Sequence, residues 1–275
     1  MNVHTVRGAG GVDLHVREWG QRTGIPILLI HGWSQSHLCW TKQYESALQD
    51  EFRIVAFDLR GHGMSDAPLQ AEHYTDGDKW ADDIAGIIDR LALDQPILVG
   101  SSYGGFIISD FVRRHGQDKI AGINLVGTIV GLGPEDAPLI GPGFQENAPG
   151  ACEADLPIRI AAMRRFVRAL FTRPLSAGDF ETVLAFNMVV DPKVRAFLMQ
   201  RELDSAAVLK TVSVPVLITQ GRSDLMVLPA MADRIRECCK GAVVSWYDGV
   251  GHVPFLEEPE RFNRELARFS KKAHG

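Results

Sequence analysis

The sequence predicts an α/β fold: a mainly parallel sheet with helices on both faces and an all-helical segment inserted into it. Three observations carry this. Short apolar runs of strand type alternate with stretches whose apolar residues recur at helical spacing, the pattern of strand–helix–strand units. Some runs are unbroken rather than alternating, as in Ile25-Pro26-Ile27-Leu28-Leu29-Ile30, which suits a strand covered on both faces. Residues 131–205 then break the rhythm, with helical patterns and no convincing strand.

Bulk properties narrow the class. A chain of 275 residues accommodates one large domain, or one domain carrying an insertion. Its 45% hydrophobic and 23% charged residues fit a globular protein rather than a disordered one. The formal net charge of −5 gives no support to a nucleic-acid partner, which calls for a clustered basic excess. No apolar run approaches the roughly 20 residues of a membrane-spanning helix, so no membrane partner is expected. The start, Met1-Asn2-Val3-His4-Thr5-Val6-Arg7, lacks the apolar core of a secretory signal, and a cytoplasmic location is expected. Cys39, Cys152, Cys238 and Cys239 match no zinc spacing, and the adjacent pair cannot easily bridge. Free thiols and no metal site are expected, and oligomeric state is left open.

In chain order, Val12-Asp13-Leu14-His15-Val16-Arg17 alternates as a half-exposed antiparallel strand does. The buried strand Ile25 to Ile30 ends at His31-Gly32-Trp33-Ser34. Arg53 to Phe57 is the next strand, ending at Asp58-Leu59-Arg60-Gly61-His62-Gly63-Met64-Ser65. Asp78 to Leu93 carries Trp80, Ile84, Ile87, Ile88 and Leu91 at helical spacing. Pro96 to Val99 is a buried strand, and Phe106 to Arg114 reads as the helix after it. Ile120 to Val126, Val214 to Thr219 and Ala242 to Tyr247 complete the strands, with helices over Leu228 to Cys239 and Pro259 to Ser270. Within the insertion, Gly131 to Ala151 reads as irregular. Helices are predicted over Ile158 to Phe171, Asp179 to Met188 and Lys193 to Arg201. Such an insertion is best placed as a cap over the C-terminal edge of the sheet, where open α/β sheets bind ligands. The core is then 1–130 plus 206–275, and the cap 131–205.

Chemistry centres on Gly100-Ser101-Ser102-Tyr103-Gly104 at a strand-to-helix corner. A serine with glycines two positions either side has the form of a nucleophile elbow. A serine hydroxyl needs a base. Among nine histidines, His252 in Gly251-His252-Val253-Pro254 sits just past the last strand, at the same predicted edge. The base needs an anion to fix its tautomer. Asp224 follows the strand Val214 to Thr219, with a helix N-cap as its plainer role; Asp248 is the weaker candidate, because it must fold back across its own loop. An oxyanion requires main-chain N–H donors, and Tyr103 and Trp33 are placed to supply them. Their side chains, with Phe166, Phe171, Phe186 and Met188, are expected to line a pocket. His31 is read as structural. Arg159, Arg164, Arg165 and Arg168 are either a solvated helix face or an attraction for anionic substrate.

These pieces together resemble the α/β-hydrolase superfamily. His31-Gly32-Trp33, Asp58 through Ser65, Gly100 through Gly105, Gly221 through Asp224 and Gly249 through Pro254 stand in the family's order over nearly the whole chain. The resemblance implies an eight-stranded-type sheet, a triad of Ser102, Asp224 and His252, an oxyanion hole at Trp33 and Tyr103, and no cofactor. It implies a serine hydrolase acting on a small carboxylic ester or related acyl compound. Relatives that attack sp3 carbon carry aspartate at the elbow, so Ser102 points to an acyl carbon. Lactonases, carbon–carbon bond hydrolases and perhydrolases share the triad. Tyr103, where perhydrolases and many carbon–carbon hydrolases usually carry methionine, weighs mildly against those two. A ligand receptor that kept the triad is the alternative from another class.

Overall fold

In the computed structural model, which describes residues 1–131, 133–202 and 204–275, the apolar runs become neighbours in one sheet. Its strands are β1 (Asn2–Arg7), β2 (Asp13–Gly20), β3 (Ile25–Ile30), β4 (Phe52–Phe57), β5 (Ile97–Ser101), β6 (Gly122–Val126), β7 (Val216–Gly221) and β8 (Val243–Tyr247). The spatial order is β1-β2-β4-β3-β5-β6-β7-β8. β1 and β2 pair antiparallel with each other, β2 pairs antiparallel with β4, and every pairing from β4 to β8 is parallel. β2 alternates buried and half-buried residues, as its sequence alternation requires, whereas β4, β5, β6 and β7 are buried at every position. The sequence reading misses β1. Only Val6 of that edge strand is buried, so its apolar pattern is too thin to show, and pairing with β2 defines it.

The register aligns the strand ends. Ile30 lies beside Phe57 and Gly100, Ser101 beside Val126, Val126 beside Thr219, and Gly221 beside Tyr247. The residues that follow β3, β4, β5, β7 and β8 therefore emerge along one edge. Helices α1 (Gly77–Leu91) and α2 (Tyr103–His115) pack together, with Arg114 joined to Asp78 and Asp82 across their outer faces. None of the helices in the described residues is long and apolar enough to cross a membrane.

Between β6 and β7 the described residues form helices and turns but no strand of the sheet. The long ones are α3 (Leu156–Ala169), α4 (Ala177–Val189) and α5 (Pro192–Leu198). All three begin earlier than apolar spacing predicts, the third by a single residue, and side-chain caps start them, Asp191 accepting from the Lys193 amide in the third. Asp155 accepts from the Ile158 amide and Ser176 from the Asp179 amide, satisfying donors that a helix start leaves open. The stretch expected to be irregular holds two single-turn helices, Pro142–Gln145 and Ala148–Ala151. A bridge between Gly131 and Asp204 closes the neck of the insertion. After it, α6 (Ala230–Cys238) and α7 (Pro259–His274) complete the core. All four cysteines are free.

Candidate active site

Ser102 stands between the end of β5 and the start of α2 with φ 51° and ψ −114°. This left-handed φ costs a non-glycine residue on the order of 1–3 kcal/mol. Contacts on both sides hold it there. Its amide donates to Val126 O at 2.8 Å and its carbonyl accepts from Thr128 Oγ1 at 3.2 Å. The glycines two positions away are needed for space. A Cβ on Gly100 would lie 2.7 Å from the carbonyl carbon of Gly104, and one on Gly104 would lie 2.5 Å from Ile30 O. The turn can thus press against β3 only without side chains.

Asp224 and His252 come from the loops after β7 and β8. Asp224 is buried, and its Oδ1 accepts from the amides of Met226 at 2.7 Å and Val227 at 3.0 Å. Its Oδ2 accepts from Gln220 Nε2 at 3.1 Å and lies 2.8 Å from His252 Nδ1. The carboxylate is an acceptor only, so Nδ1 carries the proton and Nε2 is left as the basic nitrogen. Main-chain bonds from Arg222 to Tyr247 and from Ser223 to Val250 join the two loops. Asp248 instead pairs with Arg222 on the surface, its side chain 87% exposed.

Ser102 and His252 line one cavity together with Gly32, Trp33 and Tyr103. The Cα of Gly32 lies so close to the serine that an added Cβ would sit 3.2 Å from Ser102 Cβ. Among the described residues, neither the Trp33 nor the Tyr103 amide has an acceptor within the protein. Tyr103 also opens α2, where unpaired N–H groups and the helix dipole favour negative charge. The Trp33 ring packs against Phe144 and Phe166, with its indole N–H donating to Arg195 O at 3.3 Å. Tyr103 reaches the cavity, but its ring lies edge-on to Trp80 and Phe106, and its hydroxyl accepts from Arg201 at 3.1 Å. Burial pushes that phenol well above the usual tyrosine range.

Apart from Gln35 and Ser101, the rest of the lining is apolar. Phe166 and Leu170 come down from the insertion, Phe144 and Leu198 flank them, and Val253 and Phe255 close the core side. None of the described lining residues is Asp, Glu, Lys or Arg. Three expected pocket residues are corrected: Phe171, Phe186 and Met188 do not line the cavity. α4, which carries Phe186 and Met188, packs against α3, and its Asn187 carbonyl accepts from Ser34 Oγ at 3.3 Å. Leu170 faces the cavity and Phe171 turns away, because the chain leaves α3 there to meet the core: His252 N donates to Leu170 O at 2.9 Å and Thr172 Oγ1 to Gly249 O at 2.9 Å. The cap arginines do not reach the cavity either. Arg164 and Arg168 lie over the Phe180 ring and Arg165 donates to Asn147. Leu198, Met226 and Phe255 are lining residues that sequence reasoning missed, since their apolar character gives no sign of which surface they face.

The remaining histidines beside the site are structural. His31 Nδ1 donates to Gly32 O and its Nε2 accepts from the Leu59 amide; His62 binds Arg60 O and the Ser34 amide in the same way. Burial lowers His31 to about 4 and His62 to about 3, so both are neutral locks between the loops after β3 and β4. His15, His37 and Asp58 bring ligand-type atoms within 4.8 Å of one another. Asp58 is already taken by the amides of His37 and Met64 and by the His37 ring, and the Arg17 guanidinium donates to His15. This is a hydrogen-bonded brace, poorly suited to a cation.

Comparison with known proteins agrees with this fold. A profile of the alpha/beta hydrolase family matches residues 27–265. The chain is 28% identical to a non-heme chloroperoxidase of Streptomyces lividans, over 97% of this chain and 99% of that one. It is 26% identical to a bifunctional esterase/perhydrolase of Acinetobacter calcoaceticus, over 94% and 96%. Among solved structures, an esterase from Rhodococcus sp. ECU1013 superposes with a TM-score of 0.92 at 33% identity, covering 98% of this chain and 99% of that one.

Proposed function

The chain belongs to the alpha/beta hydrolase family, and from that premise we propose that it is a serine esterase cleaving small, uncharged carboxylic esters through an acyl-enzyme on Ser102. One observation carries the reading: the buried Asp224–His252 pair at 2.8 Å opens on the same apolar cavity as the strained Ser102. In the first half-reaction Ser102 Oγ attacks the carbonyl carbon while His252 Nε2 takes its proton. The carbonyl electron pair moves onto oxygen, which rests on the Trp33 and Tyr103 amides. Collapse expels the alcohol, protonated by His252, and leaves Ser102 acylated. Water, deprotonated by His252, then attacks the acyl carbon. Ser102 leaves, regains the proton, and the acid is released.

The lining supports an uncharged acyl group, since a carboxylate or ammonium there would lose its hydration without a partner. Residues 131–205 are proposed as the cap that keeps bulk water out of this step, with 1–130 and 206–275 as the core. A second reading, perhydrolysis, is favoured by the likeness to the Acinetobacter calcoaceticus esterase/perhydrolase. There hydrogen peroxide replaces water and the acyl-enzyme yields a peracid. Assay with p-nitrophenyl butyrate tests the main reading. Ser102→Ala is expected to abolish turnover, and retention of most of the activity overturns the assignment. Peracid formed in added peroxide at the expense of acid supports the second reading. Steady turnover also separates an enzyme from a receptor of the same fold.

A further inference from the structure

Two buried arginines at the end of the helical insertion reach the residues that carry the proposed oxyanion donors. Arg195, on α5, is fully buried and has no carboxylate partner among the described residues. Its Nε donates to Ser34 Oγ at 2.8 Å, its Nη1 to Ala151 O at 2.9 Å and its Nη2 to Asn187 O at 2.5 Å. Its own carbonyl accepts the indole N–H of Trp33. Trp33 and its successor are therefore both fastened to one residue. Ser34 is itself held at φ 63°, with its amide on His62 Nε2 at 3.2 Å. Six residues on, Arg201 donates to the Tyr103 hydroxyl at 3.1 Å and to Asp110 Oδ2 at 2.5 Å. Its guanidinium lies 5.5 Å from the Tyr103 ring centre and 5.7 Å from that of Trp80.

Burying the Arg195 guanidinium against neutral acceptors is costly, and an apolar side chain would fill the same space at lower cost. What the guanidinium adds is a rigid fork that fixes several acceptors at once, which neither a hydrocarbon nor a lysine can do. Each fork places one end on a stretch beside the serine, Arg195 Nε on Ser34 and Arg201 Nη1 on Tyr103, and anchors its other end on Ala151 and Asn187 or on Asp110.

We propose that Arg195 and Arg201 are positioning residues for the oxyanion hole, through which the helical insertion sets the separation of the Trp33 and Tyr103 amides. The inference rests on the esterase reading, because it needs those amides to be the donors. Neither arginine touches substrate; each acts through the residue it holds. Covering the cleft and aligning the hole are then one function of the same segment.

The test uses the full chain, with p-nitrophenyl butyrate as substrate, a fluorophosphonate to count reactive Ser102, and an alkyl boronic acid as a mimic of the tetrahedral intermediate. Displacing a group by about 1 Å costs on the order of 10²-fold in rate. Arg195→Met is accordingly expected to lower kcat per titrated serine by about 10- to 100-fold, with KM within about threefold and boronic-acid affinity falling in step with kcat. Arg195→Lys does not restore kcat. Ser34→Ala and Tyr103→Phe each remove one end of a fork while keeping the arginine; a kcat loss of about three- to tenfold is expected for each, with the same parallel loss of boronic-acid affinity. They decide the matter if Arg195→Met fails to fold. Variants within about twofold of the wild type per titrated serine, or a kcat loss with unchanged boronic-acid affinity, overturn the proposal. If the wild type is not labelled, or Ser102→Ala still turns over, the esterase reading fails and the positioning role with it. A labelled, Ser102-dependent wild type with unaffected variants removes the positioning role alone.

Discussion

At the scale of single residues, the site depends on groups that cannot choose their own geometry. Ser102 holds a strained φ because Val126 and Thr128 fix its peptide and because Gly100 and Gly104 let β3 approach. Asp224 has its Oδ1 occupied by two amides, so only Oδ2 is free for His252 and Gln220. This gives Asp224→Asn a definite outcome. The amide oxygen stays with the Met226 and Val227 N–H groups, and the NH2 faces His252 Nδ1. The ring must then carry its proton on Nε2, the nitrogen that accepts from serine in the proposed mechanism. A fall in kcat of up to about 10⁴-fold is expected, as for other triads in which the tautomer is reversed. The check is kcat measured beside the melting temperature, to separate lost chemistry from lost fold. A loss under about tenfold moves the orienting role elsewhere.

At the scale of elements, the helical insertion touches the loops that carry the proposed triad acid, base and oxyanion donor. Leu170 O holds the His252 amide, the Gly141 and Gly143 amides bind Met226 O and Leu225 O beside Asp224, and Arg195 holds Ser34. Its helices are not equivalent, however. α3 presents Phe166 to the cavity, whereas none of the described lining residues comes from α4. Phe166→Leu is expected to shift kcat/KM between butyrate and octanoate esters by about tenfold, since changes in an apolar pocket discriminate by roughly 10–200-fold. Phe186→Ala and Met188→Ala should leave that ratio within about twofold and act on stability instead, through the cavity each leaves behind. A ratio that moves equally in all three variants would mean that α4 reaches substrate.

At the scale of the whole molecule, the loops at the strand ends are tied together by neutral buried histidines, and acid should loosen them. An unfolded histidine takes its proton near pH 6.5, but burial holds His31 near 4 and His62 near 3. Between those limits the unfolded chain binds more protons, so stability is complete above about pH 6.5 and is lost as pH falls through the folded values. For His31 alone the effect is on the order of 3 kcal/mol at the acid end. Melting temperature should therefore drop between pH 7 and 4, and drop less over that range in His62→Gln; equal slopes would place the proton uptake elsewhere. The sequence by itself determined the strands β2 to β8, the elbow glycines and the chain order Ser102, Asp224, His252. Those rest on local chemistry: apolar runs that must be buried, turns that only glycine permits, and polar residues stranded at strand ends. Only the tertiary structure decided that Asn2–Arg7 is a strand, that Phe166 faces the cleft while Phe171, Phe186 and Met188 do not, and that Arg195 and Arg201 grip the residues around the serine. Helical periodicity says which face of a helix is apolar and is silent on what lies against it; an arginine reads as surface until the fold closes over it.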